Sequence, residues 1–247
     1  MSISIRIIVP VLNEEKALAT NINKLTHFLA TEMDQYKSHI VIADNGSTDS
    51  TPKIAKNLTK SSSQVQYLRL ENPGRGGALS KTWLYSNANI LTYMDVDLST
   101  DLTALPSLIN AIENENFDIA IASRLSNRSK VIGRSPLRTI ISWGYSAIVK
   151  AIFMLHIRDY QCGFKAISQQ AANDLVPLIL DTGWFFDTEL IVIAAKNGYR
   201  IKEIPVKWVD SPDSRVKIIS TAYRDIKGLL RLRFHALSRA SKLLSNS

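Results

Sequence analysis

The chain has 247 residues, 45% of them hydrophobic and 21% charged, which is enough for one large domain with a full core. That balance excludes a disordered or fibrous chain, and the lone Cys162 excludes an internal disulfide and fits a reducing compartment. Net charge is +8, but residues 214–247 hold eight Lys or Arg against one acid, Asp225, so residues 1–213 are nearly neutral and the tail is basic.

The amino terminus shows no signal peptide and passes directly into an apolar strand at residues 4–10. Residues 14–32 have helical spacing, with Leu18, Ile22, Leu25 and Leu29 on one face. A second strand at 39–43 ends in Asp44-Asn45-Gly46-Ser47-Thr48-Asp49, where Ser47 or Thr48 is placed to cap the next helix. A third strand at 65–70 is followed by Asn72-Pro73-Gly74-Arg75-Gly76-Gly77 and a helix to about Asn89. That glycine segment lacks the Gly-Lys-Ser/Thr ending of a phosphate loop, and Leu79 stands where a dinucleotide fingerprint needs its last glycine. It implies a tight turn or a close backbone approach. The fourth strand is 90–94, a helix covers 102–114, and the fifth strand is 118–122. Repeated βα units of this length predict a mostly parallel, doubly wound α/β sheet.

Two later segments have membrane-like composition. Residues 139–157 approach the length of a span, but Ser142, Ser146 and Lys150 form a polar stripe, so a buried or interfacial helix is expected instead. In the tail, Ile219, Tyr223, Ile226, Leu230, Phe234, Leu237 and Leu244 trace one helical face, and most bases lie elsewhere on the wheel. This predicts a basic amphipathic helix over 214–247 that either docks on the domain or contacts an anionic membrane.

The chemistry concentrates at strand ends. Asp95-Val96-Asp97 closes the fourth strand with two carboxylates one residue apart. Hard oxygens at the carboxyl end of a strand suit Mg²⁺ or Mn²⁺, which also bind substrate phosphates. The first strand ends in Val9-Pro10-Val11-Leu12-Asn13-Glu14-Glu15, where Pro10 is expected to stop the ladder and Asn13 and Glu14 present polar side chains. Asp44 closes the second, as a turn residue or as an acceptor for a nucleobase or ribose. Strands one, two and four therefore place acids or amides on one edge of the sheet.

These three blocks, in this order, resemble the inverting family-two glycosyltransferases of GT-A type fold. Ala122-Ser123-Arg124, Asp159-Tyr160-Gln161-Cys162-Gly163-Phe164-Lys165 and Trp184-Phe185-Phe186-Asp187-Thr188-Glu189-Leu190 are similar to the polyprenyl-phosphate (dolichyl-phosphate) hexosyltransferases, more to the glucosyl than the mannosyl enzymes. The resemblance implies a nucleotide-sugar donor, UDP-glucose before GDP-mannose, a polyprenyl monophosphate acceptor, and Mg²⁺ or Mn²⁺. It implies that Pro10, Leu12, Asn13, Glu14, Asp44 and Val96 line the donor pocket, that Asp95 and Asp97 hold metal and diphosphate, and that Arg124 and Arg215 contact substrate phosphates. Asp187 and Glu189 stand where such families keep acids, to orient sugar hydroxyls or a basic residue, or simply to start a helix. Ser99 stands where mannosyl relatives often have Gln, and Leu12 where an aromatic often stacks on the base. The protein is expected in the cytoplasm, peripherally on the membrane through its C-terminal helix, with no nucleic-acid partner. Processive synthases carry a Gln-x-x-Arg-Trp block absent here, and nucleotidyltransferases need a Gly-rich loop where this chain has Leu12-Asn13-Glu14-Glu15. A nonenzymatic adaptor leaves the acidic strand ends unexplained.

Overall fold

Each apolar run in the first half of the chain forms a strand: β1 (Ser4–Val11), β2 (Lys37–Asp44), β3 (Val65–Arg69), β4 (Ile90–Met94) and β5 (Ile119–Ser123). Between them lie α1 (Leu18–Glu32), α2 (Thr51–Ser61), α3 (Arg75–Leu84) and α4 (Leu105–Glu113). These elements belong to a computed structural model, which describes residues 2–70, 74–210 and 218–237. The second half adds β6 (Lys130–Ile132), α5 (Pro136–Phe153), β7 (Phe164–Ser168), α6 (Gln169–Leu175), α7 (Phe186–Lys196), β8 (Ile201–Pro205), β9 (Lys207–Val209) and α8 (Ile218–Arg231).

Seven strands form one sheet in the order β3-β2-β1-β4-β7-β5-β8, and β6 pairs with β9 in a small second sheet. The large sheet is parallel except for β7, which runs antiparallel between β4 and β5. The chain winds outward from β1 in one direction to β3 and in the other to β4, which opens a crevice at the carboxyl ends of β1 and β4. Val11 pairs with Asp44, and Ile8 with Tyr93, so the ends of β1, β2 and β4 lie side by side. Pro10 does not stop β1. Pairing with β2 continues through Pro10 to Val11, and only the β4 ladder ends earlier, at Ile8.

Two helical layers bury the sheet. Leu18, Ile22, Leu25 and Leu29 of α1 join residues of α2 and α4 on one face, and α3, α5, α6, α7 and α8 cover the other. The helix after β3 stops at Leu84, short of Asn89, whose Oδ1 instead accepts from the backbone nitrogen and hydroxyl of Ser4. The helix expected at 102–114 begins as a 3-10 turn, and α4 proper starts at Leu105, beside Pro106.

No helix among the described residues is long and apolar enough to cross a membrane. α5 turns its polar stripe inward: Ser142 accepts from Arg134 at 2.7 Å, and Ser146 donates to the carbonyl of Arg158. Leu137, Ile140, Trp143 and Ile148 are left exposed. The helix ends at Phe153 because Met154 turns left-handed (φ 54°). α8, continued by a π-helical turn at Leu232–Ala236, docks on the domain through Leu229 and Leu232, yet Tyr223, Ile226, Leu230 and Phe234 face outward. Leu244 and the remaining tail bases beyond residue 237 lie outside the described residues.

Candidate active site

The loops after β1 and β2 are latched together. Asn13 turns left-handed (φ 55°), a conformation Asn tolerates better than most residues. Its Oδ1 accepts from the backbone nitrogen of Thr48 at 2.8 Å, and its own nitrogen donates to Ser47 Oγ at 2.9 Å. The nitrogen of Glu14 donates to Thr51 Oγ1 at 2.8 Å. Ser47 and Thr48 therefore tie the two loops rather than cap α2, whose first residue Thr51 is held by Asp49 Oδ1 at 2.9 Å. Asp44 is fully buried: Oδ1 accepts from the nitrogen of Ser47 at 2.8 Å, and Oδ2 from Tyr67 Oη at 2.7 Å and Arg69 Nη1 at 3.2 Å. Pro10 is buried beneath these loops, and Leu12 stands 45% exposed at their rim.

Asp95 and Asp97 emerge where β4 ends. Asp97 is exposed and accepts from Ser99 twice, at Oδ1 from the backbone nitrogen (3.0 Å) and at Oδ2 from the hydroxyl (2.8 Å). Leu98 adopts φ 50°, a strained conformation for leucine that turns the chain sharply behind Asp97. Val96 is buried between the acids, and its carbonyl is fixed by Asn21 Nδ2 at 2.9 Å. Asp95 is half-buried against Gly163, where any side chain would collide: a Cβ there would lie 1.7 Å from Asp95 Oδ2. Burial lifts the Asp95 carboxyl above the usual range, Arg75 opposes this, and the negative charge of Asp97 adds to it.

Arg75 links Asp95 to a buried network. Its Nη2 reaches Asp95 Oδ1 at 2.9 Å and its Nη1 reaches Asp187 Oδ2 at 2.6 Å, while the guanidinium lies between the rings of Tyr93 (4.8 Å) and Trp184 (4.9 Å). Asp187 Oδ1 accepts from Lys165 Nζ at 2.8 Å and from the Tyr93 hydroxyl. Burial alone would raise Asp187; the neighbouring Lys165 and Arg75 charges win and hold it below the usual carboxylate range.

A basic group gathers around Trp208. Arg124 grips Asp159 through Nε at 2.8 Å and Nη2 at 2.9 Å, and its backbone nitrogen donates to the same carboxylate at 2.9 Å. Burial opposes ionisation of Asp159, but Arg124 keeps its pKa at about 2. Arg124 and Arg134 both lie over the Trp208 ring, at 5.8 Å and 5.4 Å. Burial, followed by the adjacent Arg124 charge, presses Arg134 down to about 10. Its Nε is buried with no hydrogen-bond partner. Trp208 also lines one cleft with Asp95, Asp97, Ser99, Thr100 and Gly163.

The structure thus brings together Asp95, Asp97, Arg124 and Asp187, with the β1 and β2 loops along the same sheet edge. Glu189 goes elsewhere: its Oε2 accepts from Arg231 of α8 at 2.8 Å and from the backbone of Asp181 at 2.8 Å. Arg215 lies outside the described residues. The roles of Arg75, Arg134 and Trp208 had no signal in the sequence. For Lys165 the signal was a lone charge within the strand-like Phe164-Lys165-Ala166-Ile167.

Comparison with known proteins identifies the family and the fold. The family model for Glycosyl transferase family 2 matches residues 6–176. The chain is 29% identical over 255 aligned residues to dolichyl-phosphate beta-glucosyltransferase of Dictyostelium discoideum, covering 99% of this chain and 78% of that one. It is 30% identical to glycosyltransferase AglD of Haloferax volcanii over 92% of its own length but spans only 36% of that longer protein. Among solved structures, glucosyl-3-phosphoglycerate synthase of Mycobacterium tuberculosis, bound to Mn²⁺, UDP and glucosyl-3-phosphoglycerate, superposes with a TM-score of 0.70 at 16% identity. That match covers 93% of this chain and 79% of the synthase. The shared architecture is the GT-A fold of glycosyltransferases.

Proposed function

We propose a specific reaction for this chain, which belongs to glycosyl transferase family 2: it moves glucose from UDP-glucose to a polyprenyl or dolichyl monophosphate, inverting the anomeric carbon. The observation that carries this reading is the Asp95–Asp97 pair at the end of β4, in a cleft whose wall includes Trp208, the ring over which Arg124 and Arg134 lie. The carboxylates suit a phosphate bound through a cation, and the arginines suit one bound directly. The similar dolichyl-phosphate beta-glucosyltransferases support the choice of sugar and acceptor.

The acid pair fits a divalent cation. Among the described residues no cluster of three or more His, Cys, Asp or Glu could hold a metal alone. Two hard carboxylates are the partial set that Mg²⁺ or Mn²⁺ uses when substrate phosphates complete its shell. Asp95 and Asp97 would hold the ion, which when bound supplies Lewis-acid stabilisation of the departing diphosphate. Pro10, Leu12, Asn13, Glu14 and Asp44 form the nucleoside side; Asp44 shapes it by fixing the Ser47 turn.

Arg124 and Arg134 receive the acceptor phosphate, and the family resemblance adds Arg215, which lies outside the described residues. A phosphate monoester has its second pKa near about 6 and is largely dianionic at neutral pH, so it attacks without a strong base. Asp187 accordingly acts by orientation. Both its oxygens are bound, and it holds Arg75 against Asp95. Glu189 orients Arg231 in the same manner.

The test incubates the protein and Mg²⁺ or Mn²⁺ with UDP-glucose, GDP-mannose and other nucleotide-sugars in the presence of a polyprenyl phosphate, then identifies the glycolipid. Glucosyl lipid from UDP-glucose is expected. Asp97→Asn should fold normally, because the side chain is exposed, and lose at least about 100-fold in transfer. A product only from GDP-mannose would replace the donor, and no glycolipid from any donor would end the reading.

A further inference from the structure

The glycine segment at the start of α3 does not cradle a ligand. It seats another part of the chain. The Gly77 nitrogen donates to the Thr182 carbonyl at 3.1 Å. A Cβ at Gly74 would fall 2.6 Å from that carbonyl oxygen, and one at Gly76 would fall 2.6 Å from Phe186 Cβ and 3.0 Å from the carbonyls of Asp181 and Gly183. Only glycine allows residues 181–186 to lie this close. Asp181 Oδ1 accepts from the Gly183 nitrogen at 2.7 Å and fixes the turn just before Trp184. The outcome is an indole laid on the Arg75 guanidinium, 4.9 Å from ring centre to Cζ, with 46% of the residue still open to solvent.

Location says what this indole meets. Arg75 spans from beneath Trp184 to Asp95, so the ring stands one guanidinium away from the diphosphate clamp. The nucleoside side lies one and two strands off, at the ends of β1 and β2, and the acceptor arginines gather around Trp208. A hexose joined to the second phosphate of a clamped diphosphate occupies the remaining quarter. Its ring presents a face of C–H bonds suited to an aromatic plane, while its hydroxyls point outward to polar partners.

We propose that Trp184 is the platform on which the hexose of the donor stacks, and that Gly74–Gly77 serve to hold it there. This rests on the nucleotide-sugar reading of the site. Trp184 is a specificity-determining residue: it reads the sugar and is blind to the nucleotide.

Calorimetric titration with UDP and with UDP-glucose, both with Mn²⁺ and without any lipid acceptor, tests this in wild type, Trp184→Ala and Trp184→Phe. UDP affinity should be the same in all three. The extra affinity conferred by glucose should fall about tenfold in Trp184→Ala, the upper size of one aromatic contact, and largely survive in Trp184→Phe. Thermal unfolding confirms that both variants fold, and Trp184→Phe alone decides the matter if alanine does not: by itself it must keep UDP affinity and most of the glucose gain. Trp184→Ala that retains the whole gain, or equal weakening of UDP and UDP-glucose, overturns the platform and leaves the donor assignment standing. Wild type that binds neither UDP nor UDP-glucose overturns both.

Discussion

Asp187 has both carboxylate oxygens bound inside the protein, and the partner on one of them, Lys165, is itself fully buried. An ion pair of this kind adds little net stability relative to an apolar pair, but removing one member strands the other charge. Lys165→Met should therefore lower unfolding free energy by about 3–5 kcal/mol in urea titration. The double substitution Lys165→Met with Asp187→Leu should recover much of that loss. If the double variant is less stable than the single, the Lys165–Asp187 pair does not carry the effect. Activity should be low in the double variant, because Arg75 then loses Asp187, the anchor that holds it on Asp95.

At the scale of elements, α8 joins the domain through a carboxylate that dislikes its surroundings. Asp225 is buried on the docking face, where Oδ2 accepts from Gln161 Nε2 at 2.8 Å and Oδ1 has no partner. Burial raises its pKa to about 6 from 3.8, against the Gln161 hydrogen bond and with help from Asp181. A raised folded pKa means the folded state holds the proton more tightly than the unfolded one. The stability from this group is present in full below pH 3.8 and is lost as pH rises through about 6. Asp225→Asn keeps an acceptor for Gln161 and removes the titration. Urea unfolding between pH 4 and 8 should show a flatter profile for the variant and a gain on the order of 2 kcal/mol at pH 7. Parallel pH profiles for variant and wild type would show that Asp225 is not the group responsible.

The whole molecule has an uneven surface. α5 and α8 pack into the same cluster on one face of the sheet, and each leaves large apolar side chains outside, among them Ile140, Trp143, Ile226 and Phe234. We propose that these exposed side chains contact an anionic bilayer, as the amphipathic spacing of the tail implies. The protein should sediment with vesicles rich in anionic lipid, less so at high salt. Ile226→Ser with Phe234→Ser should weaken partitioning at least about tenfold, since each side chain is worth about 1.5 kcal/mol or more when buried. Deleting α8 is the poorer test, because Leu229 and Leu232 would be stripped from the core. Unchanged sedimentation of the double variant would assign the exposed face another use.

Local pattern carried much of this into the sequence. Apolar runs marked β1 to β5, and helical spacing marked α1. Asp44, Asp95 and Asp97 were legible because parallel βα units bring strand ends to one edge. β7 was not legible: a strand inserted antiparallel between β4 and β5 depends on partners distant in the chain, and Lys165 interrupts its apolar run. Helical spacing also did not reveal which face of α5 turns inward, since its serines find Arg134 and a backbone carbonyl on the domain.

By itself the sequence determined the first five strands, their acidic edge and the family, all of which follow from short-range pattern and motif order. Only the tertiary structure decided that Asp187 is a bound anchor, that Glu189 serves α8, and that a glycine segment resembling a phosphate loop seats Trp184 above Arg75. Those outcomes depend on which side chains separated by tens of residues come within hydrogen-bond or van der Waals distance, and spacing along a chain does not encode that distance.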